Sequence, residues 1–230
     1  EIEYECYEIN GKVYTNTELY RFVCNIYHYL IKNNPNKENV IVFGHKDIYM
    51  IASFLACSFA GITYIPVDEL FPEERKQNII KQVNSIFIID KNIEKIMYTQ
   101  DFKDIDKIYL KENDTYYMIF TSGSTGEPKG VKISYENLKS CVNWLQEISG
   151  AKNDVILNQA NFSFDLSVAD IYLSLISKSK HHILTKNLQS DFPKLFENIF
   201  SSKATILVCT PSFADFLLID KSFNEKNIKN

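Results

Sequence analysis

Glycine is scarce in this chain: there are seven in 230 residues, none follows Gly150, and three of the seven, Gly123, Gly126 and Gly130, fall inside eight residues. Blocks of basic residues are missing too. With a net charge of -4 and a pI near 5.6, the composition argues against a nucleic-acid surface. No apolar run nears the roughly 18 residues needed to cross a bilayer, and the opening EIEYECYEING is too acidic for a secretory signal. The expected address is cytoplasmic, without membrane insertion. The cysteines Cys6, Cys24, Cys57, Cys141 and Cys209 are scattered, with no CxxC pair. That spacing argues against a disulfide framework or a zinc cluster and favours buried, reduced thiols.

What is present is an ordinary globular composition, 45% hydrophobic and 23% charged, long enough for one or two domains with a substantial core. Apolar runs of period 2 alternate with stretches of helical period, the pattern of βα units on largely parallel sheets, so the fold class expected is α/β. Thr15 with Glu18 reads as a capping box opening a helix that ends before Pro35. NVIVFG (39–44) reads as a buried strand. Asp47 then caps a helix that is apolar nearly all round and stops at Gly61. TYIPV is a strand whose Pro66 points to a strand end or edge. Pro72, Glu73 and Glu74 open a helix to Val83, with SIFIID as the strand behind it. Residues 91–114 read as a short helix, a turn and a strand at KIYL. YYMIF and GVKIS are strands flanking the glycine cluster, and Ser134 caps the helix that Gly150 ends. Helices near 165–177 and 192–202 and from Pro211 then alternate with strands HHILT and TILVCT.

The cluster itself, IFTSGSTGEPKG (119–130), gathers backbone N–H groups, hydroxyls and one ammonium where no bulky side chain keeps a ligand away. Such a concavity suits an anion, and a triphosphate is the obvious guest. Lys129 precedes Gly130, so the order is not that of GxxxxGK[ST], and the GxGxxG spacing is absent. The loop also joins two strands and does not open a helix, so a helix dipole is not its main device. Downstream, Asp165 in FSFDLS stands at a helix entry. It reads either as a helix-capping residue or as the partner of a buried ammonium, which is costly unless a carboxylate meets it. Phe164 reads either as a pocket wall or as a core residue, and His45 as a core or capping histidine without a catalytic role. His181, His182 and Trp144 read as structural.

YYMIFTSGSTGEPKGV resembles the phosphate-loop signature of the adenylate-forming superfamily, which includes acyl-CoA synthetases, luciferases, peptide-synthetase adenylation domains and D-alanine–carrier protein ligases. FLACSFAGITYIPVDELFPEER and NFSFDLSVADIYLSL resemble further motifs of that superfamily in the expected order, so the resemblance spans essentially all 230 residues. It implies that residues 1–230 form the N-terminal part of an adenylation domain, a partial large lobe with parallel sheets flanked by helices. The absent initiator Met and the ending NEKNIKN agree with a fragment.

The resemblance also implies a chemistry. An amino-acid carboxylate attacks the α-phosphorus of ATP, pyrophosphate leaves, and the aminoacyl group passes to the phosphopantetheine thiol of a carrier protein. The nucleotide-binding residues it implies are Thr121, Ser122, Gly123, Ser124, Thr125, Gly126, Lys129 and Gly130, with Thr121 and Ser122 touching the phosphates. The substrate-binding residues are Asp165, for the ammonium, and Phe164. VFGH, the Asp165 segment and TPSFADFLLIDKSFNEK resemble most the D-alanine branch, whose members serve teichoic acid esterification. A peptide-synthetase or acyl-CoA synthetase fragment and a non-catalytic nucleotide-binding module are the alternatives. ATP and Mg2+ are the expected cofactors. The superfamily's metal-contacting and ribose-binding segments and its catalytic lysine have no counterpart here, so no catalytic residue or metal ligand is assigned, and the fragment alone is expected to turn over poorly. SLISKSKHHIL departs from the superfamily by lacking glycines before its strand.

Overall fold

The computed structural model describes residues 2–83, 87–100, 103–122, 128–220 and 223. In chain order the elements are β1 (Glu5–Ile9), β2 (Lys12–Thr15), α1 (Asn16–Asn33), β3 (Val40–Gly44), α2 (Ile48–Ala60), β4 (Tyr64–Asp68), α3 (Glu73–Val83), β5 (Phe87–Ile89), a 3-10 turn (Lys91–Ile93), α4 (Glu94–Met97), β6 (Thr115–Ser122), β7 (Pro128–Ser134), α5 (Tyr135–Ser149), β8 (Val155–Asn158), α6 (Leu166–Ser177), β9 (Lys180–Ile183), α7 (Lys186–Gln189), α8 (Phe192–Ser202), β10 (Ile206–Val208) and α9 (Pro211–Leu217). They fall into two compact units, each with one five-stranded sheet. The expected α/β class holds.

The first unit comprises Thr17–Ser140 with Phe162–Phe164. Its sheet has the order β5-β3-β4-β6-β7, parallel except for the β6–β7 hairpin. α2 is buried on almost every side, as its apolar sequence requires, and each such Ile, Met or Phe contributes about 1.5–3 kcal/mol by leaving water. Gly61 ends it with φ +66°, and a Cβ there would stand 2.9 Å from Tyr109 Cβ, so both the left-handed turn and the close approach call for glycine. The other face of the sheet packs Ile41, Ile65, Val67, Met118 and Phe120 against Ile79, Ile80 and Val83 of α3 and against Phe71.

Three expectations are corrected in this unit. Asp47 is the N-cap of α2, but its side chain caps no helix N–H; its Oδ2 accepts instead from the His45 backbone N–H at 3.1 Å. Pro66 lies in a central strand. Glu69 N–H donates to Gly44 O, and alternation along β4 turns the Pro66 nitrogen toward β6. There the ladder is seen only at Tyr64–Tyr117 and stops where the next donor would be the Pro66 nitrogen, so the strand stays central at the loss of one ladder bond. KIYL is not a strand. It is a segment without regular structure, pinned by Tyr109 N–H donating to Phe59 O at 2.8 Å and by the Tyr27 hydroxyl donating to Lys107 O at 2.6 Å.

The second unit comprises Glu1–Asn16, Cys141–Asn161 and Asp165–Asn230, with strand order β10-β8-β9-β1-β2. Its core gathers Leu157, Leu184, Leu195, Ile199 and Leu217. β1 and β2 form an antiparallel hairpin turned by Asn10 and Gly11, both at positive φ. β1 also pairs in parallel with β9. A polar group is sealed inside the unit: Asp170 Oδ2 accepts from Asn158 Nδ2 at 2.7 Å, and its Oδ1 stands 3.5 Å from His181 Nε2, with both side chains fully buried. His182 is buried as well, and its Nε2 lies 2.8 Å from Asn198 Oδ1. Both histidines are structural, as expected. Trp144, by contrast, is 56% exposed on α5. Cys6, Cys24 and Cys57 are buried, but Cys141 is exposed and Cys209 partly so, which corrects the expectation of five buried thiols. At the glycine-poor turn after α6, Lys178 takes the left-handed conformation at φ +55°.

Candidate functional site

The candidate anion site is carried by the β6–β7 hairpin of the first unit. β6 brings a run of buried side chains, Tyr116 to Phe120, that anchors the strand before it surfaces at the exposed Thr121. In register, Thr121 faces Lys129 and Phe120 faces Gly130, and the Thr121 hydroxyl donates to Lys129 O at 3.4 Å. Lys129 is exposed, and among the described residues its ammonium makes no ion pair. The hairpin therefore delivers a hydroxyl and an uncompensated cation to the same level on adjacent strands, where they can meet a phosphate oxygen. Gly130 is needed by packing: a Cβ would stand 2.7 Å from Met118 Sδ and 3.0 Å from Phe120 Cζ. Of the remaining residues expected at this site, Gly123, Ser124, Thr125, Gly126 and the Ser122 side chain lie outside the described residues.

The same end of the sheet carries a second polar group. His45, just past β3, sets its Nδ1 2.8 Å from Asp68 Oδ2 at the end of β4, while Asp68 Oδ1 accepts from Leu70 N–H. His45 thus ties two strand ends together, which is neither the core nor the capping position expected of it.

Phe164 belongs to the first unit and is 47% exposed, with its ring edge-on to Phe71 at 6.4 Å. It is not a core phenylalanine. Asp165 is the N-cap of α6, and its Oδ1 accepts from Leu166 N–H. The side chain is exposed and makes no other hydrogen bond or ion pair among the described residues, so capping leaves the carboxylate open to a cation. Arg75 is a residue that sequence reasoning passed over. From α3 it donates Nη2–H to Phe120 O at 3.3 Å and stacks on Phe71 at 4.3 Å; the only signal in FPEER was an arginine four residues after an aromatic.

A sequence profile described as AMP-binding enzyme matches residues 3–229. The chain belongs to the AMP-binding enzyme family. Among curated relatives, the D-alanine–D-alanyl carrier protein ligase of Listeria monocytogenes serotype 4b (strain F2365) is 38% identical over 247 aligned positions, covering 98% of this chain and 48% of that protein. The ligase of the same name from Staphylococcus aureus (strain Newman) is 38% identical over 205 positions, covering 83% and 42%. The chain thus spans about half the length of the curated relatives it matches. Among solved structures, the Vibrio cholerae adenylation domain AlmE in complex with glycyl-adenosine-5'-phosphate superposes with a TM-score of 0.80 at 19% identity, covering 96% of this chain and 49% of that one. The o-succinylbenzoate CoA synthetase MenE of Bacillus subtilis gives 0.81 at 14% identity, covering 96% and 62%. These two likenesses place the fold of this AMP-binding family member with adenylate-forming enzymes. No helix among its described residues is long and apolar enough to cross a membrane.

Proposed function

We propose that this chain is the N-terminal part of the adenylation domain of an amino acid–carrier protein ligase, and that its amino acid is D-alanine. The observation that carries the reading is the 38% identity to a D-alanine–D-alanyl carrier protein ligase along 98% of the chain, with Asp165 exposed and otherwise unpaired at the head of α6. In this reading the protein binds ATP through the β6–β7 hairpin. Thr121 and Lys129, with Ser122, Gly123, Ser124, Thr125, Gly126 and Gly130, hold the phosphates so that the α-phosphorus lies in line with the substrate carboxylate. Lys129 draws off charge as pyrophosphate departs. Asp165 pairs with the substrate ammonium, and Phe164 is a second substrate-binding residue. The carboxylate oxygen forms a bond to the α-phosphorus, the bond to pyrophosphate breaks, and an aminoacyl adenylate results. The thiol of a phosphopantetheinyl carrier protein then attacks the acyl carbon, gives up its proton, and AMP leaves.

Magnesium would neutralise the triphosphate. Among the described residues no group of three or more His, Cys, Asp or Glu side chains could hold it by itself, and a magnesium ion on a nucleotide needs only one or two protein carboxylates beside the phosphates. The cytoplasm, which supplies ATP, is the compartment this reading calls for. The deciding experiment is amino-acid-dependent ATP–pyrophosphate exchange on the full-length gene product with D-alanine, L-alanine and a fatty acid. Exchange supported best by D-alanine is expected; exchange supported only by the fatty acid overturns the reading.

A further inference from the structure

Arg75 is a half-buried cation without a counter-charge: among the described residues no carboxylate lies within ion-pair distance of it. Its Nε is buried with no hydrogen-bond partner. A guanidinium withdrawn from water in this way loses hydration that one neutral acceptor does not fully restore, so its presence here calls for a function. Its two contacts say where that function lies. One is the carbonyl of Phe120 at 3.3 Å, the last buried residue of β6 before Thr121. The other is the face of Phe71, 4.3 Å away, and Phe71 packs in the same apolar cluster as Phe120.

The position on β6 matters. Pairing with β4 is recorded only at Tyr64–Tyr117, so on that side no backbone ladder is recorded for Met118 to Thr121. On the other side β6 is held by β7, and β7 is the partner that must share the ligand. The donor that Arg75 offers to Phe120 O is therefore a fixed point on the exit of β6 that does not depend on the hairpin itself. The Phe71 ring limits the guanidinium to one plane, and a planar fork seated on an aromatic face loses less freedom per bond than a lysine would.

We propose that Arg75 is a positioning residue for the phosphate site: through the Phe120 carbonyl it sets the direction in which Thr121 and Lys129 leave the sheet, and Phe71 sets the direction of Arg75. This rests on the reading that the hairpin binds ATP. The Arg75 charge also lies next to the strand that carries Thr121 to the anion site, which adds to the attraction without a direct contact.

The test is ATP binding by calorimetry on the full-length gene product, together with its thermal melting curve and pyrophosphate exchange. Arg75→Met keeps the length of the stem and removes the donor. It is expected to weaken ATP binding about tenfold, with the amino-acid KM within about twofold and a cooperative melting transition retained. Arg75→Lys, which keeps a cationic donor, is expected to recover at least half of that loss on a logarithmic scale. A merely structural arginine would not produce this split, since both substrates and the melting temperature would suffer together. ATP binding by Arg75→Met at wild-type strength overturns the proposal, as does equal weakening of both substrates. If Arg75→Met does not fold, Phe71→Leu decides: it keeps an apolar group but removes the ring, and unchanged ATP affinity overturns the proposal while a severalfold loss supports it. Wild type that binds ATP but does not exchange pyrophosphate refutes the adenylation reading and leaves Arg75 to be judged on affinity. Wild type that does not bind ATP refutes both.

Discussion

Gly130 lies against Met118 so closely that a Cβ would stand 2.7 Å from the thioether sulfur. The glycine of the Pro-Lys-Gly run is therefore fixed by the packing of β6 on β7. Gly130→Ala should cost about 1–3 kcal/mol as an overpacked site, read as a lower melting temperature. Because Met118 is the neighbour that must yield, Gly130→Ala and Met118→Ala together should cost less than the sum of the two.

Lys129 is exposed and makes no ion pair among the described residues, so its removal should leave stability within about 0.5 kcal/mol. Lys129→Met should nevertheless weaken ATP binding by the full-length gene product about tenfold or more, since a charge-assisted contact is lost. Calorimetric titration with ATP checks it, and wild-type affinity in the variant would remove Lys129 from the site.

Asp165 caps α6 through Oδ1, and Asn caps as well as Asp does. Asp165→Asn therefore separates charge from capping. Its melting temperature should match wild type and its ATP affinity should hold, while amino-acid-dependent exchange falls about tenfold or more as the substrate ammonium loses a charge-assisted partner. An unchanged amino-acid KM would make Asp165 a cap and nothing more.

Lys178 sits at φ +55° in the turn after α6, a conformation in which a Cβ is crowded by backbone and which glycine adopts freely. Lys178→Gly should stabilise the protein by a few tenths of a kcal/mol to about 1 kcal/mol, the relief of strain exceeding the added freedom of the unfolded chain. A differential melting measurement against wild type checks the sign.

Glu8 lies 3.2 Å from Lys180 Nζ and 3.3 Å from His182 Nδ1. Partial burial pushes its pKa up, but His182 and Lys180 outweigh that and hold it below the ordinary 4.5. A folded pKa below the unfolded one gives a contribution that is complete above the unfolded value and lost as the pH falls through the folded value. The gap in melting temperature between wild type and Glu8→Gln should thus be open near neutral pH and close below about 4.5. A gap that widens on acidification would contradict this sign.

Much of this was legible because period and punctuation agree: Gly61 and Gly150 each follow the last residue of a helix or its next neighbour, and Pro72 directly precedes α3. The hairpin of β1 and β2 was not read, although Asn10-Gly11 is a strong two-residue turn signal; its short strands, with the sequences ECYEI and KVYT, alternate too weakly to announce themselves. β8 was missed for the same reason of length. Pro66 misled because a central strand tolerates one missing donor where its ladder with a neighbour is short, and the length of that ladder is not written in the strand's own sequence. The site divides along the same line. In the proposed site Thr121, Lys129 and Asp165 would act through side-chain groups that a motif displays, whereas Arg75 meets a backbone carbonyl 45 residues away, which no local pattern records.

The parallel pairing of β1 with β9 joins Tyr7–Ile9 to His181–Ile183. During synthesis that edge cannot close until His181–Ile183 have been made, whereas the sheet of β3 to β7 is complete by Ser134. Closing a loop of that length is slow compared with local pairing. The β1–β2 hairpin therefore keeps an open strand edge until β9 is made, an interval in which a chaperone has time to act on it.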